Sequence, residues 1–277
     1  MADARTAAED FSGEVRRAAR DLAYDDYLAA LLAPGAQQAD FLAIAALMGE
    51  LARIPLHVTD AALGEIRLQW WRDALAADGP SGHPVADAVR AMQPRLPVPV
   101  GDFIAPVLEA RAAELYAEPF ATRAAFDAYV MSPELAAMRL RAALLGLQPV
   151  TDTAIEEEAA RTLGLVRAAA RMPYLFAKGR TPLCADQFGD GATIDDGDLR
   201  SAMAHLVDEA ATAWAALRPR LRRISLDLRR VIVPVALAGP YLRAIQSVGR
   251  DLVRDVAEPS PLERILRLWL AARLGRF

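Results

Sequence analysis

Cysteine is almost absent: Cys184 is the one such residue in 277. A single thiol excludes an internal disulfide framework and any zinc knuckle, and it makes a reducing compartment the natural setting. Aromatic residues make up only 6% of the chain, and alternating β-branched runs do not occur, so strand signals are lacking. There is no surplus of positive charge. The formal net charge of −4 argues against general nucleic-acid binding, which needs a basic balance. Acids and bases are interspersed, which leaves room for a local basic patch. Long apolar runs are missing too. The longest candidate, "VIVPVALAG", is about half a membrane span and is interrupted by Pro234. The opening "MADARTAAEDFSGEVRRAARDLAYDD" has no continuous apolar segment of the kind a secretory signal requires. The expectation is a soluble, cytoplasmic protein, at most peripheral at the inner membrane surface.

What the chain has in quantity is Ala, Leu and Arg, within a composition that is 54% hydrophobic. Apolar residues recur at spacings of three and four, as in Phe41, Ile44, Ala45 and Met48, or Leu262, Ile265, Leu266 and Trp269. That period, built from good helix formers, predicts roughly eight to ten helices. Pro- and Gly-rich breaks such as "LLAPGAQQ", "ADGPSGHP" and "MQPRLPVPVGD" separate them. None of these is long or polar enough for an interdomain linker, and no fixed repeat is present. The reading is all-α: a short N-terminal tail over 1–19 and one helical domain over 20–277.

Several constellations bear on chemistry. On a helix, "LGEIRLQWWRDAL" places Ile66, Leu68, Trp70, Trp71, Ala74 and Leu75 on one broad arc, with Arg67 inside it. A guanidinium there must snorkel, stack on an indole or meet an anion. An ion pair bracing a neighbouring helix is the favoured reading, and an anion site is the alternative. Carboxylates one turn apart are a means of holding Mg²⁺, and two such pairs exist, Asp21 with Asp25 and Asp251 with Asp255. Both read as solvated faces, the first among helix-start acids and the second among arginines. "GDGATIDDGD" lacks the closing glutamate of a calcium loop and reads as a polar loop. His57, His83 and His205 are too scattered for a metal site. Cys184 reads as a buried filler. The helix "PLERILRLWLAARLGRF" places Leu262, Ile265, Leu266, Trp269 and Leu270 on one face and Arg264 and Arg267 largely opposite. That face either closes the core or meets an anionic membrane or a partner helix.

"DDYLAALLAP", "ELAR", "LGEIRLQWWRDAL" with "HPVADAV", and "LGLVRAAARMPYLFAKGRTPLCADQFG" together resemble the squalene/phytoene synthase family, as does "VIVPVALAGPYLRAI". The resemblance runs from about residue 20 to 270 and implies the isoprenoid synthase fold, a single helical bundle around a central cavity. Active members carry two Asp-rich motifs whose Mg²⁺ ions bind prenyl diphosphates. By alignment the first falls on Ala52, Arg53, Ile54, Pro55 and Leu56, and the second on Arg171, Met172, Pro173, Tyr174 and Leu175, with no aspartate in either. Pro55 and Pro173 are also expected to disturb the helices that would present the ligands. The pattern resembles the mitochondrial complex I assembly-factor branch and its bacterial relatives. The implied role is non-catalytic, with a protein partner or membrane lipid, an isoprenoid as a further ligand, and no cofactor. No catalytic or metal-binding residue is assigned. The candidate contacts for an anionic ligand are Arg53, Arg67, Trp71, Arg171, Lys178 and Arg180. The alternative is an active prenyltransferase with replaced ligands, which would need Mg²⁺ and carboxylates such as Glu50 or Asp60 converging on the cavity.

Overall fold

The computed structural model describes residues 2–147, 153–188, 194–247 and 249–277, with side chains from Ser12 onward except at Thr153. The three-and-four spacing of Ala and Leu folds as α-helix throughout, and the described residues contain no strand, only an isolated bridge between Phe120 and Cys184. The first half of the chain forms α1 (Ala2–Leu22), α2 (Tyr24–Ala30), α3 (Gln38–His57), α4 (Ala61–Ala76), α5 (Pro84–Arg90) and α6 (Val100–Ala113). The second half forms α7 (Arg123–Leu144), α8 (Thr153–Phe176), α9 (Asp196–Leu217), α10 (Leu226–Ile232), α11 (Ala238–Ile245) and α12 (Pro261–Leu274). The twelve among the described residues exceed the expected eight to ten because α2, α5, α10 and α11 have only seven or eight residues, too few for periodicity to register. Residues 2–19 of the expected N-terminal tail are helical. They lie within α1, whose Val15 and Ala19 are buried where it packs along α3.

α3 is buried on nearly every side from Phe41 to Leu47, which makes it a central helix rather than an amphipathic one. Two apolar clusters form the interior. One joins α1, α3, α4, α5 and α6, and the other joins α8 to α12. α7 serves both, giving Leu140 and Leu144 to the first and Phe126, Val130 and Met138 to the second. α7 and α8 approach at Gly164, where a Cβ would sit 1.9 Å from the Val130 carbonyl oxygen, so a hydrogen is all that fits there.

Two expectations about local geometry are corrected. Pro55 and Pro173 do not break their helices: each lies in a last turn, and α3 and α8 run on to His57 and Phe176. A proline there forfeits a single intrahelical bond. Arginines supply donors to the end of α3, with Arg171 donating to the Ala52 carbonyl and Arg180 to those of Pro55 and Val58. In α4 the buried side is Gly64, Leu68, Trp71, Ala74 and Leu75, while Ile66 and Trp70 are exposed. Gly64 explains the rotation. Its missing Cβ leaves room for Leu115, whose side chain would lie 2.4 Å from that atom.

Candidate functional site

Between the two apolar clusters lies a cavity of about 560 Å³, walled by α1, α2, α3, α6, α7, α8, α11 and α12. That is the size of a small-molecule site. Its wall mixes apolar residues such as Met48, Leu56 and Val130 with charge: Asp21, Asp25, Asp26, Glu134 and Glu258 face Arg111, Arg167, Arg171 and Arg264, with four tyrosines among them.

α3 turns Ala52 and Leu56 to the cavity, which are the first and last residues of the segment aligned with the first Asp-rich motif. Spaced one turn apart, they are the positions from which paired carboxylates would reach inward, and they carry no oxygen. α8 presents Arg167 and Arg171, again one turn apart. The alignment placed the second motif at 171–175, but Leu175 is fully buried elsewhere, so the cavity-facing pair begins one turn earlier.

These arginines are engaged. Arg167 donates to Asp26 at 2.7 Å and to Glu134 at 2.8 Å, and Arg141 approaches Asp26 from the far side at 2.7 Å. Arg171 donates to Glu114 at 2.6 Å; Arg111 does so at 2.7 Å and the Tyr129 hydroxyl at 2.9 Å. A third group closes the end near α12. Tyr241 donates to Asp25 at 2.7 Å, and Arg264, packed against the Tyr24 and Tyr241 rings, reaches Asp25 at 3.2 Å and Glu258.

Burial pushes Asp25, Asp26, Glu114 and Glu134 toward their neutral forms, and the partners decide the outcome. At Asp26, burial is outweighed by Arg167 and Arg141, and the pKa falls below the usual range. At Glu114, Arg171 and Arg111 likewise overcome burial. Glu134 shares Arg167 with Asp26 and has no second guanidinium bonded to it, so burial prevails and its pKa rises. Asp25 is raised by burial as well, despite Arg167, Tyr241 and Arg264. Tyr129 and Tyr241 are pushed up by burial and by the carboxylates they bond, so both remain protonated donors.

A Mg²⁺ ion would need several free oxygen donors converging on one point. The cavity carboxylates are each bonded to an arginine or a tyrosine, Asp21 included through Arg20. Among the described residues no group of three or more His, Cys, Asp or Glu is placed to hold a metal. Glu50 faces Arg53 at 3.6 Å and Asp60 caps α4 by accepting from the Ala62 amide, and neither lines the cavity. The residues present do not fit a diphosphate-binding magnesium centre.

Of the candidate contacts read from the sequence, Arg171 alone lines the cavity. Arg53 and Lys178 are on the exterior, and Arg67 reaches solvent with no ion pair among the described residues, which corrects its expected bracing role. Trp71 is core, edge-on to Trp70 and His83. Arg180 is buried as a cap for α3. Cys184 is buried, as expected. The largest departure concerns the acids near the N-terminus: Asp25 and Asp26 belong to the cavity and not to a solvated face. Asp251 and Asp255 do lie at the surface, with Arg200 donating to Asp251 at 3.1 Å, though in a turn and not on a helix. The "GDGATIDDGD" loop falls partly outside the described residues.

Residues 19–264 match the family model described as squalene/phytoene synthase. No curated protein matches the chain. Among solved structures it is similar to the squalene synthase HpnC from Alicyclobacillus acidocaldarius, at 17% identity over 86% of this chain and 93% of that one, with a TM-score of 0.64. It is also similar to a dehydrosqualene synthase in complex with ligand, at 15% identity over 97% and 98%, with a TM-score of 0.69.

Proposed function

The chain belongs to the squalene/phytoene synthase family, and on that premise we propose that it is a non-catalytic member acting by binding or assembly. One observation carries this reading. The inward pairs on α3 and α8 are Ala52 with Leu56 and Arg167 with Arg171, and both arginines are committed to buried carboxylates. Ionising a prenyl diphosphate requires a positive centre free to follow the departing charge. Guanidinia fixed on Asp26, Glu134 and Glu114 are already neutralised.

The chemical test is farnesyl diphosphate with Mg²⁺ or Mn²⁺, followed by calorimetry and product analysis. The expected result is no metal-dependent binding and no prenyl transfer, and condensed product under either metal would overturn the reading. The finer proposal, a part in assembling a respiratory complex, is supported by the resemblance to the complex I assembly-factor branch. Deleting the gene in its host should then reduce assembled complex I on native gels. Unchanged assembly would remove that role and leave the partner to be found elsewhere.

A further inference from the structure

Amphipathic helices ordinarily bury their apolar face, and α12 leaves most of its large apolar side chains outside. Its core side is Arg264, Leu268 and Ala271. Its outer side exposes Leu262 (75%), Ile265 (47%), Leu266 (51%), Trp269 (46%) and Leu274 (52%). At about 100° per residue the first four fall within a single arc roughly 100° wide. The orientation is fixed from inside. Arg264 is buried among Asp25, Glu258 and the rings of Tyr24 and Tyr241, so turning α12 to hide its leucines would strip those carboxylates of their cation.

The charge beside this stripe has one sign. Glu263 is taken by Arg243, and Arg264 by its buried acids. Arg273 and Arg276 remain, exposed and with no ion pair among the described residues. Arg218 donates to the Phe277 carbonyl at 3.3 Å and so brings the Arg220–Arg223 turn close, where Arg222 and Arg223 are exposed and likewise unpaired. α4 offers a contrast: it also exposes Leu63, Ile66 and Trp70, but Glu65 and Asp73 offset Arg67 and Arg72, so its charge selects no surface.

We propose that the outer face of α12 is a membrane-docking surface for an anionic lipid bilayer. Leu262, Ile265, Leu266 and Trp269 enter the headgroup–acyl boundary, and Arg273 and Arg276 meet lipid phosphates. A leucine- and tryptophan-bearing stripe flanked by unpaired arginines matches the physics of a helix lying in the interface. The chain's net charge of −4 means that the rest of the surface supplies no general attraction to such a membrane, so docking is directed to this patch. The proposal is independent of whether the cavity turns over a substrate.

The full chain should co-sediment with vesicles of one part phosphatidylglycerol to two parts phosphatidylcholine, and not with phosphatidylcholine alone. Changing Arg273 and Arg276 to Gln should weaken binding about fivefold each and about 25-fold together. Leu266→Ser with Trp269→Ser should abolish it, and Trp269→Phe should remove the blue shift in tryptophan emission that accompanies binding. All of these side chains lie outside the core, so thermal melts should match the parent, and the two variant sets test the apolar and charged contributions separately. Equal binding to neutral and anionic vesicles, no binding to either, or a dimer in sedimentation equilibrium that Leu266→Ser dissociates would overturn the proposal. The last result would assign the face to a second copy.

Discussion

Arg171 is the residue at which ligand and structural roles diverge. It lies on the cavity wall, so its position alone suggests an anion contact. Its partner decides otherwise. Glu114 is fully buried and receives Arg171, Arg111 and Tyr129 together, a set in which each member satisfies another. Arg171→Ala should therefore cost about 3–5 kcal/mol, the penalty for leaving a buried carboxylate under-paired. Arg53→Ala removes an exposed contact at 3.6 Å and should stay within about 0.5 kcal/mol. Urea unfolding of the two variants decides this, and similar losses would mean that the Glu114 cluster does not hold the fold. Arg171 was legible in the sequence because it falls on the motif alignment. Asp25, Asp26 and Glu134 are not, because their partners are remote: Asp26 pairs with Arg141 and Arg167 across separations of 115 and 141 residues. Near Asp21 a local helix-start explanation was available and sufficient. The sequence signal lies on the other side, in Arg167 and Arg171 set one turn apart within the apolar run "LGLVRAAARMPYLF". Two charges on the inner side of a helix ask for buried acids.

The helices themselves were largely legible, since Ala- and Leu-rich periodicity and the Pro/Gly breaks decide local structure with little tertiary help. Their rotations were less so. α4 turned because Gly64, invisible to a hydrophobicity pattern, admits Leu115, and α12 turned because Arg264 has better partners inside than its leucines do. Glycine decides the packing of α7 on α8 too. Gly164→Ala would drive a methyl into the Val130 carbonyl, backbone that cannot move aside without separating two long helices. The expected loss is at least the 1–3 kcal/mol usual for overpacking. Gly101→Ala in α6 meets nothing within 4 Å and has an ordinary helical φ, so it should be neutral or stabilise by about 0.4–1 kcal/mol. Denaturant midpoints for the pair provide the comparison. An equal effect would show that α7 and α8 have slack between them.

At the scale of the whole molecule, the cavity is a seam between two apolar clusters, and its charges fasten one side to the other. Asp26 on α2 joins α7 and α8, while Arg171 on α8 joins α3 and the residue that ends α6. Stability should then follow the titration of the seam, with opposite signs for its two kinds of carboxyl. Asp26 and Glu114 have depressed pKa values, so they stabilise above the unfolded values of about 3.9 and 4.3, and that contribution is lost as pH falls through their folded values. Asp25 and Glu134 have raised values, as does Glu156, lifted by burial. Each of these three destabilises the fold while ionised, and the cost is relieved as pH falls through its folded value. Acidification from neutrality therefore meets the raised group first. The melting temperature should pass through a maximum on the acid side of neutrality and then drop steeply below about pH 4, where Asp26 and Glu114 take up protons. Asp25→Asn should flatten the rise without moving the drop, and Glu114→Gln should soften the drop. Calorimetric scans across this range test both. A melting temperature that only declines from neutral pH, with Asp25→Asn leaving its shape unchanged, would mean that the seam carries no strained carboxyl and that its ion pairs are spread evenly.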